Sequence, residues 1–495
     1  MSKILLKKGT IINADEEIPD VDVLIDNGII VKVDKEIKVE ENVKVIDCTG
    51  KYLLPGGIDP HTHMQMPFGG TYAKDDYPNG TKMAIIGGST LLIDFICPSK
   101  SNPSLVDAYK TWMEWATDRI HCDVSHHMCV VAYNEQIGKE LEICVKDYGI
   151  NSFKHFLAYK GILQLEDSYL FQSFKRCAEL GALCQVHAEN GDLVVEGCNN
   201  MVERGIMGPE AHALSRPSYL EGEATNRALM IARLANAPLY VVHVSCKEAS
   251  DAIMRAKQDG QVCFGESLAT HLSKDDSAYW DKDFDVAAAH VMSPPFRPKL
   301  HQKALWQHIQ NGVISTTGTD HCVFDYKQKR MGFNDFRKIP NGCGGIEDRP
   351  SVLWQLGVNS GKISRRDFVA ITSTNAAKIF NVFPQKGVIR EGADADIAIW
   401  DPKATRVISG KTHHSYIEYN MFEGMEITGV PIMTISRGVI ACEHQFVDGK
   451  IDWKNPKINV DTKHGRIVKR KPFSPYVYSR SIYIPDPEIK QTKRD

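Results

Sequence analysis

The stretch Tyr52-Leu53-Leu54-Pro55-Gly56-Gly57-Ile58-Asp59-Pro60-His61-Thr62-His63 divides the chain into two textures. Upstream, residues 1–54 read as short β-strands. Val21-Asp22-Val23-Leu24-Ile25 alternates, Asp26-Asn27-Gly28 is a hairpin signal, and Ile29-Ile30-Val31-Lys32-Val33 is the partner strand. Downstream, apolar strand-like runs alternate with helical patterns, which predicts βα units on a parallel sheet. Eight such runs lie at 52–58, 90–95, 124–131, 152–157, 182–186, 239–244, 262–266 and 313–317. Amphipathic helices are expected between them at 104–116, 168–180, 222–235 and 247–258. Eight runs within 55–380 predict an α/β fold of the TIM (β/α)8 type with insertions. A doubly wound open sheet is the competing topology, but no Gly-x-Gly-x-x-Gly follows the first strand.

Past residue 380 the β texture returns, with strands expected at 395–402 and 434–442. The 1–54 and 381–462 segments are therefore expected to meet in one small composite β-sandwich beside the barrel. The last stretch, 463–495, is basic and contains Lys469-Arg470-Lys471-Pro472-Phe473. It reads as a solvated tail or as an arm laid on a neighbouring subunit.

Composition narrows the class. The 495 residues are 43% hydrophobic and 24% charged, as expected for a globular enzyme. A formal charge of −3 gives no electrostatic case for a nucleic-acid partner. No run is long and apolar enough to span a bilayer. The Met1–Lys8 start holds three apolar residues between lysines, a strand start rather than a signal-peptide core. Thirteen cysteines without a Cys-x-x-Cys pair read as reduced, mostly buried thiols of a cytoplasmic protein.

Catalytic groups of a barrel sit at the carboxyl ends of its strands. There the chain places His61 and His63, Lys154, His187, His243 and Asp320. Side chains two apart on a strand share a face, so His61 and His63 can hold one cation together. His-x-His alone is a weak signal; it gains weight because His187 and His243 end two later strands facing the same end. Asp320 follows a strand and is either an N-cap or a metal ligand that takes a proton from a bound water. Lys154 sits between Phe153 and His155 on a strand expected to face inward. Burial would lower its pKa, and a neutral amine can add CO2 to become an anionic carbamate that bridges two ions. Pairing with a carboxylate, or snorkelling to solvent, are the other fates of such a lysine. The pattern fits two adjacent ions: one on His61, His63 and Asp320, the other on His187 and His243. Imidazole-rich ligands suit zinc.

These segments, together with Gly56–Gln65, Asn151–Lys154, Ala158-Tyr159-Lys160, Gln185–Asn190, Met292-Ser293-Pro294-Pro295, Gly318–His321 and Pro340-Asn341-Gly342, resemble the dihydropyrimidinase and hydantoinase family of cyclic amidohydrolases. The likeness runs from about residue 3 to Lys471-Pro472-Phe473. It implies a homotetramer with two Zn2+ per subunit, bridged by N6-carboxylated Lys154 and a hydroxide. It also implies Asp320 as proton shuttle and Tyr159 as donor to the carbonyl oxygen. The backbones of Ser293 and Asn341 would then bind the imide-like edge of a cyclic ureide. Both positions also read as turn residues, beside Pro294 and Gly342, which is compatible with that role because the contact would be made by the backbone. The implied reaction is reversible ring opening of 5,6-dihydrouracil and dihydrothymine, with a hydantoinase of the same chemistry as the alternative. Dihydroorotase-like relatives typically carry an arginine after His-x-His; Met64-Gln65-Met66-Pro67-Phe68 stands here. Allantoinases match the motifs less closely. The cytoskeletal adaptor proteins of this fold have lost the metal ligands, and this chain keeps all six. His126, His127 and His271 are read as core or supporting histidines. His155, Cys343 and Gly344 depart from the family pattern.

Overall fold

The computed structural model describes residues 3–479. Eight parallel strands follow one another round a barrel in chain order: β1 Gly57–Thr62, β2 Ser89–Ile96, β3 Asp123–Cys129, β4 Ser152–Phe156, β5 Leu183–His187, β6 Leu239–Val241, β7 Cys263–Leu268 and β8 Ile314–Gly318. A strictly sequential order excludes the open doubly wound sheet. Regular pairing links each strand to the next but not β8 to β1. That seam is stitched instead by side chains. Thr319 donates its backbone N–H and its hydroxyl to the two oxygens of Asp59, at 3.1 and 2.7 Å. Buried Arg349 donates to Ile58 O at 2.9 Å and to Thr317 O. His63 N–H reaches His321 O at 2.9 Å.

The expected first run at 52–58 is two strands. Tyr52–Pro55 pairs in the other sheet, and β1 starts at Gly57. The break falls at Gly56-Gly57 for a steric reason. A Cβ on Gly56 would lie 2.1 Å from Thr90 Oγ1, and one on Gly57 would lie 2.7 Å from Ser89 Oγ. Only glycine lets the chain pass this close to the start of β2. The four expected helices are present as Leu105–Ala116, Asp167–Glu179, Ser218–Leu234 and Lys247–Gln258. Ser104 caps the first by accepting from Asp107 N–H. The third starts four residues earlier than expected, directly after Pro217.

Both ends of the chain build the second sheet, which is mostly antiparallel. Its order is Lys450–Ile458, Val439–Val447, Glu426–Ser436, Ile397–Val407, Tyr52–Pro55, Ile4–Ile12, Glu17–Asp26 and Ile29–Asp34, with Lys44–Asp47 added on Ile4–Ile12. One face folds over a core of Leu6, Ile11, Val23, Leu53, Ile397, Ile435 and Ile440. It is a single continuous sheet by hydrogen bonding. The expected strand at 434–442 is the middle of a hairpin, turning at Arg437-Gly438 with φ of 43° and 73°. Two positive φ values suit the twist of a two-residue hairpin. Arg437 holds that backbone because its N–H donates to Asp396 Oδ1 at 2.7 Å and its Nε to Asp123 Oδ1 at 3.0 Å.

Asp123 opens β3, so this contact ties barrel to sheet. At its centre lies Lys386, 3% exposed, with Nζ 2.8 Å from Asp123, 3.0 Å from Asp394 and 2.6 Å from Asp396. Burial works against the ammonium charge, but the three carboxylates outweigh it and hold the lysine protonated.

The basic segment after residue 463 packs on the underside of its own barrel as far as it is described. Val468 N–H donates to Val124 O, and Tyr478 OH to Ala182 O. Arg470 is 2% exposed and enters between the amino ends of β3 and β4. It donates to Ser125 Oγ at 2.8 Å, Asn151 Oδ1 at 2.6 Å, Ser152 Oγ at 3.0 Å and His126 O. The remainder of the expected intersubunit arm, 480–495, lies outside the described residues. Among the described residues no helix is long and apolar enough to cross a membrane.

Candidate metal centre

At the carboxyl end of the barrel the six ligand-type side chains converge. His61 Nε2 lies 3.1 Å and His63 Nε2 3.0 Å from the same Asp320 Oδ1. Ligand atoms of these three residues all fall within 4.8 Å of one another. His187 Nδ1 faces His243 Nε2 at 3.0 Å. The rings of His61 and His243 stack at 5.4 Å, so the two groups adjoin. Between them Lys154 Nζ is 3.2 Å from His61 Nε2. Lys154 is 2% exposed and rests over the rings of Phe95 and Phe156, at 4.6 and 5.3 Å. It neither reaches solvent nor forms an ion pair among the described residues.

Backbone strain marks the same place. Tyr159, His243 and Asp320 have φ of 61°, 38° and 51°, in the left-handed region that non-glycine residues seldom occupy. The His243 conformation is held by its N–H donating to Glu266 Oε1 at 3.1 Å.

Two of the four histidines, one in each group, are aimed by a carboxylate behind the ring. His61 Nδ1 is 2.6 Å from Glu266 Oε1, whose other oxygen accepts from Tyr240 OH at 2.8 Å. His187 Nε2 is 2.9 Å from Glu189 Oε2, which also accepts from Arg216 Nη1 at 3.0 Å. Carboxylate–imidazole pairs of this kind set the tautomer and leave the opposite nitrogen free to bind a cation. Neither Glu266 nor Glu189 was among the expected site residues. Glu266 closes the 262–266 run, and Glu189 stands two residues after His187. Asking what ends every strand, and not only which ends carry histidine, finds both.

The electrostatics suit a cation. Burial pushes the His63 imidazole down to about 4, and burial likewise lowers His187, His243 and the Lys154 amine. Those four groups are thus driven toward lone-pair donors. At His61 burial also opposes charge, and Lys154 adds to that. Glu266 and Asp320 on either side still raise it. A cation seated against His61 Nε2 would satisfy the carboxylates that this proton satisfies. Burial opposes the charge of Asp320 too, but His61 and His63 hold it well below the usual range. His63 Nδ1 is buried without a partner.

A cavity opens beside the cluster. It is lined by His63, Met66, Phe68, Lys154, Phe156 and Tyr159 on one part, and by Ser293, Asp320 and Asn341 on another. Asn341 Nδ2 donates to Ser293 Oγ at 2.9 Å, and Tyr159 interacts with Ser293. Burial raises the Tyr159 phenol, which keeps it a proton donor. All nine expected site residues therefore meet at one end of the barrel.

The remaining histidines are tied elsewhere. His126 Nε2 is 3.1 Å from Tyr77 OH, His127 lies between Ser152 Oγ and Pro60 O, and His271 Nε2 is 3.0 Å from Pro294 O. His155 turns outward to Ser173 Oγ at 2.7 Å, and buried Cys343 Sγ donates to Ala289 O. Neither lines the cavity; Gly344 packs on Val323 and His321.

A model of the amidohydrolase family matches residues 52–441. Dihydropyrimidinase of Rattus norvegicus is 45% identical over 483 residues, covering 97% of this chain and 91% of that protein. D-hydantoinase of Geobacillus stearothermophilus is 45% identical over 445 residues, covering 90% and 94%. The crystal structure of dihydropyrimidinase from Brevibacillus agri superimposes with a TM-score of 0.90 at 43% identity, covering 95% and 99%.

Proposed function

The chain belongs to the amidohydrolase family, in its dihydropyrimidinase and hydantoinase branch, and on that premise we propose a zinc-dependent hydrolase that opens 5,6-dihydrouracil and dihydrothymine to their N-carbamoyl-β-amino acids. The observation that carries this reading is the convergence of six ligand-type groups beside a cavity whose remaining wall is uncharged and largely apolar. Met66, Phe68, Phe156 and Leu163 suit a neutral ring, and no arginine stands among the lining residues to receive a substrate carboxylate.

Two zinc ions on His61, His63, Asp320, His187 and His243, with a carboxylated Lys154 between them, would acidify water and polarise the substrate carbonyl. Asp320 takes the proton released when the water oxygen bonds to the ring carbonyl carbon. It passes that proton to the ring nitrogen as the C–N bond breaks. Tyr159 donates its phenol O–H to the carbonyl oxygen as charge builds there. The backbone groups of Ser293 and Asn341 hold the ureide edge, and Asn341 Nδ2 steadies Ser293.

The test is a substrate panel with purified, metal-loaded protein: dihydrouracil, dihydrothymine, hydantoin, allantoin and dihydroorotate. The highest kcat/KM is expected on a dihydropyrimidine, with hydantoin next; a preference for dihydroorotate overturns the reading. Tyr159→Phe is expected to lower kcat about 10²- to 10³-fold with a smaller change in KM, as when one oxyanion donor is removed.

Glu266→Gln keeps the size of the side chain but cannot accept from His61, Tyr240 and His243 together. Metal affinity should fall roughly 10- to 100-fold, read by competition with a chromogenic chelator. Unchanged affinity would remove Glu266 from any positioning role.

A further inference from the structure

Thirteen cysteines are distributed through the chain, and all are free thiols in the structure. Eleven are buried; Cys97 and Cys198 are partly open. Two of them line the substrate cavity, the buried Cys322 and the partly open Cys97, which lies with Lys154 and Phe156. It follows directly on β2, whose last register pairs with β3 are Phe95 with His127 and Ile96 with Met128. One step further, the same parallel register sets Cys97 beside Cys129. On its other side Cys129 pairs with Lys154 of β4. Adjacent strands lie about 4.8 Å apart, so both sulfurs project from neighbouring backbones on one face. Cys97, Cys129, Phe156 and Leu163 form one apolar cluster.

We propose that Cys97 and Cys129 are a vicinal dithiol opening onto the substrate cavity, a binding site for thiophilic centres with two exchangeable positions. Trivalent organoarsenicals are the class that fits. Soft thiolate ligands select such centres, whereas the histidine and carboxylate cluster nearby favours harder cations. The chemistry balances without oxidant or reductant. An arsenic(III) oxide, R–As=O, exchanges its oxygen for two sulfurs. Both S–H bonds break, two As–S bonds form, and the oxygen leaves as water with the two thiol protons. Cys97 supplies the access, and the buried Cys129 closes the chelate. The bound group would then occupy the wall beside Lys154 and Phe156 and exclude a ring from the cavity.

A second neighbouring pair provides the internal comparison. Cys177 and Cys184 also interact, but both are fully buried between the Asp167–Glu179 helix and β5. They offer no path for the reagent.

The experiment treats the reduced, metal-loaded protein with phenylarsine oxide and reads intact mass. One adduct, formed with loss of water, is expected. It should survive washing with a monothiol and come off with dimercaptopropanol. C97S and C129A should each abolish the dithiol-specific adduct, and C177A should leave it in place. An adduct that persists in C97S, or appears only after denaturation, overturns the proposal. C97S, at a partly open position, decides the matter should C129A not fold. A second arm rests on the proposed dihydropyrimidinase reading: dihydrouracil at roughly ten times KM should slow adduct formation about tenfold by occupying the cavity. The mass arm does not depend on that reading, so failure of one is distinguishable from failure of the other.

Discussion

Asp320→Asn is expected to lower kcat by about 10³-fold or more, with KM within a few-fold and metal content little changed. The substitution suits the question because it preserves shape. Asp320 has φ of 51°, and asparagine is among the few residues that enter the left-handed region readily. The amide oxygen can still face His61 and His63 Nε2, now at 3.1 and 3.0 Å from the carboxylate. What the variant lacks is a group that accepts a proton and passes it on. Steady-state kinetics with elemental analysis of the same sample separates the two roles. Near-normal turnover with both metals bound would falsify the relay.

The second large effect is on stability. Lys386→Met should destabilise the protein by on the order of 3–5 kcal/mol at neutral pH, because one partner of a buried charge cluster is removed. Asp123, Asp394 and Asp396 would remain crowded with Arg437 as the cation still bonded to Asp123. The pH dependence has a definite sign. Carboxylates stranded this way have folded-state pKa values raised above their unfolded ones. Their contribution is then fully present below the unfolded pKa and is lost as pH rises through the folded pKa. Asp396 already shows the tendency: burial raises it even with Lys386 in place. The gap between variant and parent should therefore narrow as the solution is made mildly acidic. Urea denaturation at several pH values measures it, and a gap that is constant or widens on acidification excludes this account.

Much of this architecture is legible in the sequence, and the limits have physical causes. The barrel is readable because each strand is buried on both faces, so the runs are continuous and apolar. The metal-ligand positions are readable because strand ends and the two-residue period fix where side chains point. Boundaries fail where an interruption is steric rather than compositional. Leu54, Pro55, Gly56 and Ile58 look like one run, and only the approach of Ser89 and Thr90 shows why it breaks. The hairpin at Arg437-Gly438 hides within an apolar run because Asp123, more than 300 positions away, helps hold its arginine. Glu266 is a lone acid until His61, 205 positions upstream, is set against it. Arg470 follows the same rule. Its neighbours Lys469 and Lys471 describe a wet surface, while its acceptors lie on β3, on β4 and just ahead of β4.

Arg470 also bears on when the molecule can be finished. The eighth strand ends at Gly318, so every strand of the barrel has been made roughly 150 residues before Arg470 is added. At 5–20 residues per second that interval is about 8–30 s. Throughout it, Ser125, Asn151 and Ser152 lack the guanidinium that joins them, while the last four strands of the mixed-origin sheet are still being made one after another. Maturation is therefore a late event in the life of the nascent chain, and a ribosome that stops before residue 463 releases a barrel with its floor open.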